Sequence, residues 1–154
     1  MGATERLRAD QKHHHRDTEP AEGVDTLFTL MGDANMYWSA PIGDNHKVRL
    51  IHARQKHCCV AMADAYARAT GQVGVGSVRC GPGYTQIMTA LAMAARGNAP
   101  VVVFAGDAPI GASWYIQSID QAPLAFGNRR AFCAGSHDRP GARLRARGFL
   151  RGAR

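Results

Sequence analysis

The bend Gly81-Pro82-Gly83 is a stretch of this 154-residue chain suited to meet a ligand. Glycine permits a tight turn and lets backbone approach a bound group closely. The bend lies between an apolar run and a helical pattern. Its bland alternative is an ordinary strand-to-helix turn. A second candidate is His13-His14-His15, three consecutive imidazoles that could hold a metal weakly on a flexible arm. A solvated arm is the simpler reading. The four cysteines, Cys58, Cys59, Cys80 and Cys133, form no CxxC pair, and Cys58 and Cys59 are adjacent. That set lacks zinc spacing and easy disulfide pairing, so reduced, mostly buried thiols are expected.

These residues need elements to hold them. Four apolar stretches read as strands, at 26–30, 47–53, 73–80 and 101–106. The last is continuously apolar, as expected for a strand covered on both faces. Between them, Cys58, Met62, Ala65, Tyr66 and Ala69 recur at helical spacing until Gly71. Ile87, Leu91, Ala94 and Ala95 do the same until Gly97. Shorter helices are expected at 35–41 and at 113–121, the latter with Pro123 just beyond it. Strand–helix alternation predicts an α/β fold, a parallel sheet with helices on both faces. Ligands of such sheets bind outside the carboxyl ends of the strands. The segments to watch are therefore 31–35, 54–57, 80–85 and 106–114.

Three zones follow. Residues 1–22 are polar and aperiodic and are expected to be disordered. Residues 23–125 form the folded domain, and residues 126–154 are an Arg/Gly-rich tail that reads like a GC-rich coding sequence translated out of frame. From Gly127 onward there are eight arginines and one acid, Asp138, a balance of +7 that equals the net charge of the whole chain. The body is therefore neutral. Tail arginines could neutralise phosphates, a nucleic-acid-binding alternative. Only two aromatics, Phe132 and Phe149, and no recognisable motif accompany them, so no nucleic-acid partner is expected. No apolar run approaches the roughly 18 residues that cross a bilayer. The polar N-terminus is no secretory signal, and the cytoplasm is the expected compartment.

The order and spacing of four motifs carry a resemblance. They are "MADAYARATGQVGV" (62–75), "GPG" (81–83), "APVVVFAGDAP" (99–109) and "IQSIDQ" (116–121). Together they resemble the N-terminal, pyrimidine-binding domain of thiamine-diphosphate-dependent enzymes of the acetolactate-synthase type, over about residues 23–124. The resemblance implies thiamine diphosphate as cofactor, with the 81–83 bend lying along its pyrimidine ring. It also implies 2-oxo acid decarboxylase or carboligase chemistry, a lyase or transferase. Gln117 matches a family glutamine on the substrate side of the site, against the alternative of a surface glutamine. Trp114 and Tyr115 are read as either subunit contacts or core.

In that family the cofactor's thiazolium C2 loses a proton to its own 4′-amino group. The imino form that takes the proton is stabilised when a buried glutamate bonds the protonated ring nitrogen N1′. The resemblance places that glutamate at position 56, where this chain has Lys56 in "ARQKHCCVAMADAYAR". The nearest acid on the helix is Asp64, about two turns on. A lysine beside N1′ repels the protonated ring, or loses its own proton when desolvated. Either way activation is expected to be weak or absent. The alternative is that Lys56 points to solvent at the helix start.

The resemblance further implies that the diphosphate and its magnesium ion are held by a separate domain, absent from this sequence. The chain is therefore expected to be inactive alone. It would act in a homodimer, or as a split subunit with a partner chain carrying that domain. The Gly32-Asp33-Ala34-Asn35 string begins like the family's metal motif but lacks the later partner, and it reads as a loop that binds no magnesium. The domain's later strands should follow Leu124. A sheet left without them would expose an edge and an apolar face, with marginal stability and self-association.

Overall fold

The computed structural model describes residues 24–44, 48–108 and 114–126. The expectations for the N-terminal arm, the three histidines, Cys133 and the arginine-rich tail lie outside those residues.

The apolar runs form four short strands: β1 (Thr26–Thr29), β2 (Arg49–His52), β3 (Gly74–Val78) and β4 (Val101–Ala105). They lie side by side in the order β2-β1-β3-β4, and every pairing is parallel. The expected parallel α/β sheet is therefore present. Its central strands are wholly buried, whereas β2 is exposed at both ends.

The connecting segments supply five helices among the described residues. These are α1 (Met36–Asp44), α2 (Lys56–Thr70), α3 (Pro82–Thr85), α4 (Met88–Arg96) and α5 (Ala122–Phe126). The first expected helix runs past Pro41 to Asp44. The two longer patterns appear where their spacing put them, and Gly71 ends α2 in a left-handed conformation, its N–H bonding Ala67 O. The expected helix over residues 113–121 is corrected. Residues 114–121 are turns and irregular chain, and helix begins only at Ala122, so that Pro123 lies inside α5. Trp114, Ile116 and Ile119 are all exposed. A helix there would have no apolar face to bury, and short helices owe most of their stability to such burial.

Alternation along β3 sorts the layers. Positions 74, 76 and 78 face α2, and Val78 packs with Cys59, Val60, Ile87 and Ala90 in the core formed with α2 and α4. Val60, Val78 and Ile87 are fully buried. Each contributes roughly 1.5–3 kcal/mol from loss of contact with water. Ser77 faces the other way and receives the Trp38 indole N–H of α1 at 2.9 Å, so helices lie on both faces.

That second face holds a polar network. Asn35 Nδ2 donates to Thr29 Oγ1 at 3.3 Å and to Ser77 Oγ at 3.1 Å, while Asn35 Oδ1 accepts from Gly32 N at 2.7 Å. Thr29, Asn35 and Ser77 have no exposed surface, so these bonds offset the cost of burying them. The network fixes the segment after β1 against the end of β3.

One expectation about β4 is also corrected. Its continuous apolar run suggested cover on both faces, yet among the described residues β4 is the last strand of the sheet and the face that carries Phe104 leaves it 46% exposed. An apolar run does not by itself separate an edge strand from a central one.

Candidate functional site

The chain leaves β1 towards β2 on one side and leaves β3 towards β4 on the other. The strand order thus reverses between β1 and β3. In open parallel sheets a crevice forms where two adjacent strands send their connections to opposite sides, at the carboxyl ends. The segments after β1 and β3 border that crevice, and the start of α2 after β2 joins them.

Lys56 is the first residue of α2. It is only 6% exposed, and its ammonium donates to the carbonyl of Leu30 at the end of β1. The solvent-facing alternative is thereby overturned. Burial pushes the Lys56 pKa down, an effect reinforced by Arg79 and opposed by Cys59 and Asp33. The neighbouring Cys59 thiol is pushed up to about 11 by its own burial, so it stays protonated at neutral pH.

Arg79 follows β3 directly. Its Nη2 lies 2.7 Å from the Asp33 carboxylate and also donates to the Gln117 side-chain oxygen. Asp33 accepts a further hydrogen bond from the Tyr115 hydroxyl at 2.7 Å. That bond, with help from Arg79, holds the Asp33 carboxyl below the usual carboxylate range. The same bond pushes Tyr115 up to about 12, with Cys80 contributing. Sequence reasoning missed Asp33 and Arg79 as site residues. The available signal was a charged residue in the segment after each of two adjacent apolar strands, Asp33 four residues past Thr29 and Arg79 directly after Val78.

Gly81-Pro82-Gly83 forms the turn from β3 into α3. Gly81 has φ +58°, and a Cβ there would sit 2.1 Å from Gln117 O. The bend therefore requires glycine both for its backbone angle and for the chain that crosses it. That crossing chain is the segment holding Tyr115, Gln117 and Gln121. It is tied down by the contacts above and by Gln121 Nε2 donating to Gly106 O at 3.0 Å. Gln117 is thus neither helical nor free at the surface. Trp114 is 75% exposed, which removes it from the core, whereas Tyr115 is a bonded member of the site.

The Tyr115 contact gives a first expected outcome. Protonated Tyr115 is favoured in the folded chain, so its contribution to stability is complete below the ordinary tyrosine pKa of about 10. It is lost as pH rises towards 12, where the folded residue titrates. An alkaline absorbance titration of wild type minus Tyr115→Phe should show one tyrosine component with its midpoint near 12. A component near the ordinary value would mean that the hydroxyl is not bonded to Asp33.

The Lys56 ammonium is a buried cation at this end of the sheet. An ammonium carries donors only. It can bond an unprotonated ring nitrogen and repels a protonated one. An aminopyrimidine ring seated against Lys56 would therefore be met as a neutral acceptor, and its ring-protonated form would be repelled.

Comparison with known proteins places these features in one lineage. Residues 19–124 match the family described as "Thiamine pyrophosphate enzyme, N-terminal TPP binding domain". The chain is 33% identical over 107 residues to a "Probable acetolactate synthase" of Mycobacterium bovis, covering 68% of this chain and 19% of that protein. It is 40% identical over 90 residues to an "Acetolactate synthase large subunit" of Parasynechococcus marenigrum, covering 56% and 15%. It is 36% identical over 116 residues to a "2-hydroxyacyl-CoA lyase 2" of Bos taurus, covering 74% and 18%. The chain thus spans less than a fifth of the length of these relatives. With the match covering well over half of its residues, the chain belongs to the thiamine pyrophosphate enzymes, as an N-terminal TPP-binding domain.

Proposed function

We propose that this chain holds the aminopyrimidine end of thiamine diphosphate in an acetolactate-synthase-like enzyme acting on 2-oxo acids in the cytoplasm. The diphosphate, with magnesium, is held by a separate domain outside the matched segment. The chain assembles as a homodimer or with a partner chain that carries that domain, and the polypeptide is inactive without it. Lys56 takes the place of the family glutamate, and it leaves activation of the cofactor weak or absent. Gly81, Pro82 and Gly83 lie along the ring, with Gln117 on the substrate side.

The observation that carries this reading is the position of Lys56. It is buried at the carboxyl end of the sheet, with its ammonium against Leu30 and within electrostatic reach of Asp33 and Arg79. A buried titratable side chain whose pKa is shifted by burial and by named charges, at a switch-point crevice, is a functional-site candidate.

The test mixes the full chain with a diphosphate-domain polypeptide from an acetolactate synthase and titrates thiamine diphosphate with magnesium by calorimetry. Cofactor binding by the mixture, exceeding that of either polypeptide alone, is expected. Binding no better than the partner alone would refute the assignment.

A further inference from the structure

We propose that residues 114–121 form a strap over the Gly81–Gly83 bend, latched shut by the single carboxylate of Asp33 and able to lift without unfolding of the sheet.

The strap is held in an unusual way. Among the described residues its backbone bonds are local, from Ser118 N to Tyr115 O and from Ala125 N to Gln121 O. Its apolar side chains add little, since Trp114 is 75%, Ile116 94% and Ile119 37% exposed. Side-chain bonds tie it to the sheet instead: Tyr115 to Asp33, Arg79 to Gln117, and Gln121 to Gly106. A segment with few buried apolar contacts opens locally at low cost.

Two of those ties converge on one group. Asp33 Oδ2 accepts from the Tyr115 hydroxyl, and Oδ1 lies 2.7 Å from Arg79 Nη2, the same nitrogen that donates to Gln117. Asp33 itself sits on a fixed turn, because Asn35 is locked to Thr29 and Ser77 and accepts from Gly32 N. Beyond the strap, Leu124 and Ala125 of α5 pack against the core. Loss of the Asp33 charge therefore frees the middle of the strap while its far end stays docked.

What lies beneath gives the latch its consequence. Gln117 O stands where a Cβ on Gly81 would be, so a group approaching the Gly81 backbone from that side must displace the strap. Cys80, next to that glycine, is 2% exposed, and its Sγ lies 3.6 Å from the Tyr115 hydroxyl. Cys59 is fully buried in the core formed with α2. The two thiols report different events: lifting of the strap frees Cys80, and unfolding of the core frees Cys59.

The test labels the full chain, without cofactor, with iodoacetamide under native conditions and reads each cysteine by mass spectrometry. Wild-type Cys80 should react more slowly than half-buried Cys58 and faster than Cys59. Asp33→Asn keeps the size of the side chain and removes its charge. It should speed Cys80 by about tenfold or more relative to Cys59, the size expected for loss of charged hydrogen bonds. Tyr115→Phe should act in the same direction, and Asp33→Glu should lie closer to wild type than Asp33→Asn. Asp64→Asn is the control. It breaks the Asp64–Arg68 ion pair of α2, which shares no residue with the latch, and should leave Cys80 at its wild-type rate.

Equal rates for Cys80 and Cys59 in the wild type would mean that the strap opens only on unfolding, and would overturn the proposal. So would a wild-type Cys80 as reactive as Cys58, a Cys80 rate unmoved by Asp33→Asn, or equal speeding by Asp64→Asn. If Asp33→Asn unfolds the chain, both thiols speed together and Tyr115→Phe decides by the same criterion. Since no arm contains the cofactor, a failure here leaves the cofactor assignment standing, and a failed cofactor titration leaves the strap.

Discussion

Lys56→Glu is expected to raise deuterium exchange at C2 of thiamine diphosphate by about 10²-fold or more when the chain is mixed with a diphosphate-domain polypeptide. The wild-type mixture should exchange little faster than free cofactor. The reason is local: the buried Lys56 ammonium is held against Leu30 O, where it opposes any second positive charge brought beside it. A carboxylate at the same position reverses the sign. The substitution carries a cost in the empty site, because a carboxylate has no donor to offer the Leu30 carbonyl. The variant should therefore be less stable than wild type without cofactor and gain more from its addition. Exchange no faster than wild type, in a variant that still binds cofactor, would show that Lys56 does not stand where the ring nitrogen lies.

The same lysine has a pH signature. Its folded pKa is depressed, so the unfolded chain binds more protons between the folded value and the ordinary lysine value of about 10.4. In that window the Lys56 contribution makes stability rise with pH, and the cost of the buried ammonium is complete below it. The Tyr115 contribution runs in the opposite direction at still higher pH.

Gly81→Ala is expected to lower stability by about 3 kcal/mol. The new methyl would need the space of Gln117 O, 2.1 Å away, at a backbone φ of +58°. The crossing segment must move to admit it, which breaks the Arg79–Gln117 and Tyr115–Asp33 contacts together. Urea unfolding gives the energy, and alkaline titration reports the segment, since the Tyr115 component should fall from about 12 towards its ordinary value. Wild-type stability together with an unshifted tyrosine would contradict the turn described.

The sheet was legible because each strand is a bounded apolar run and the two longer helices repeat at clear spacing with glycine stops. The parallel arrangement followed from alternation alone. Two features escaped for physical reasons. The 114–121 segment takes its path from distant partners, Asp33, Arg79 and Gly106, and no local pattern encodes contacts with residues so far away in sequence. The buried Thr29–Asn35–Ser77–Trp38 network likewise joins residues that look unremarkable singly in sequence and meet only when β1 and β3 pair. Of the candidate site, the tight turn at 81–83 was readable from its glycines, and position 56 was singled out only through the family resemblance. The partners of Lys56 were not, because its burial depends on the ends of β1 and β3 closing over the start of α2.

The two tryptophans of the chain form a pair of optical reporters. Trp38 is half-buried and tethered through its indole nitrogen to the sheet, whereas Trp114 is 75% exposed and in edge contact with Tyr115 at 5.9 Å. Acrylamide should quench Trp114 emission first and leave a bluer, shielded signal from Trp38. Ligand entry beneath the Tyr115 segment would then register as a change in the quenchable fraction alone, giving an occupancy assay that needs no label.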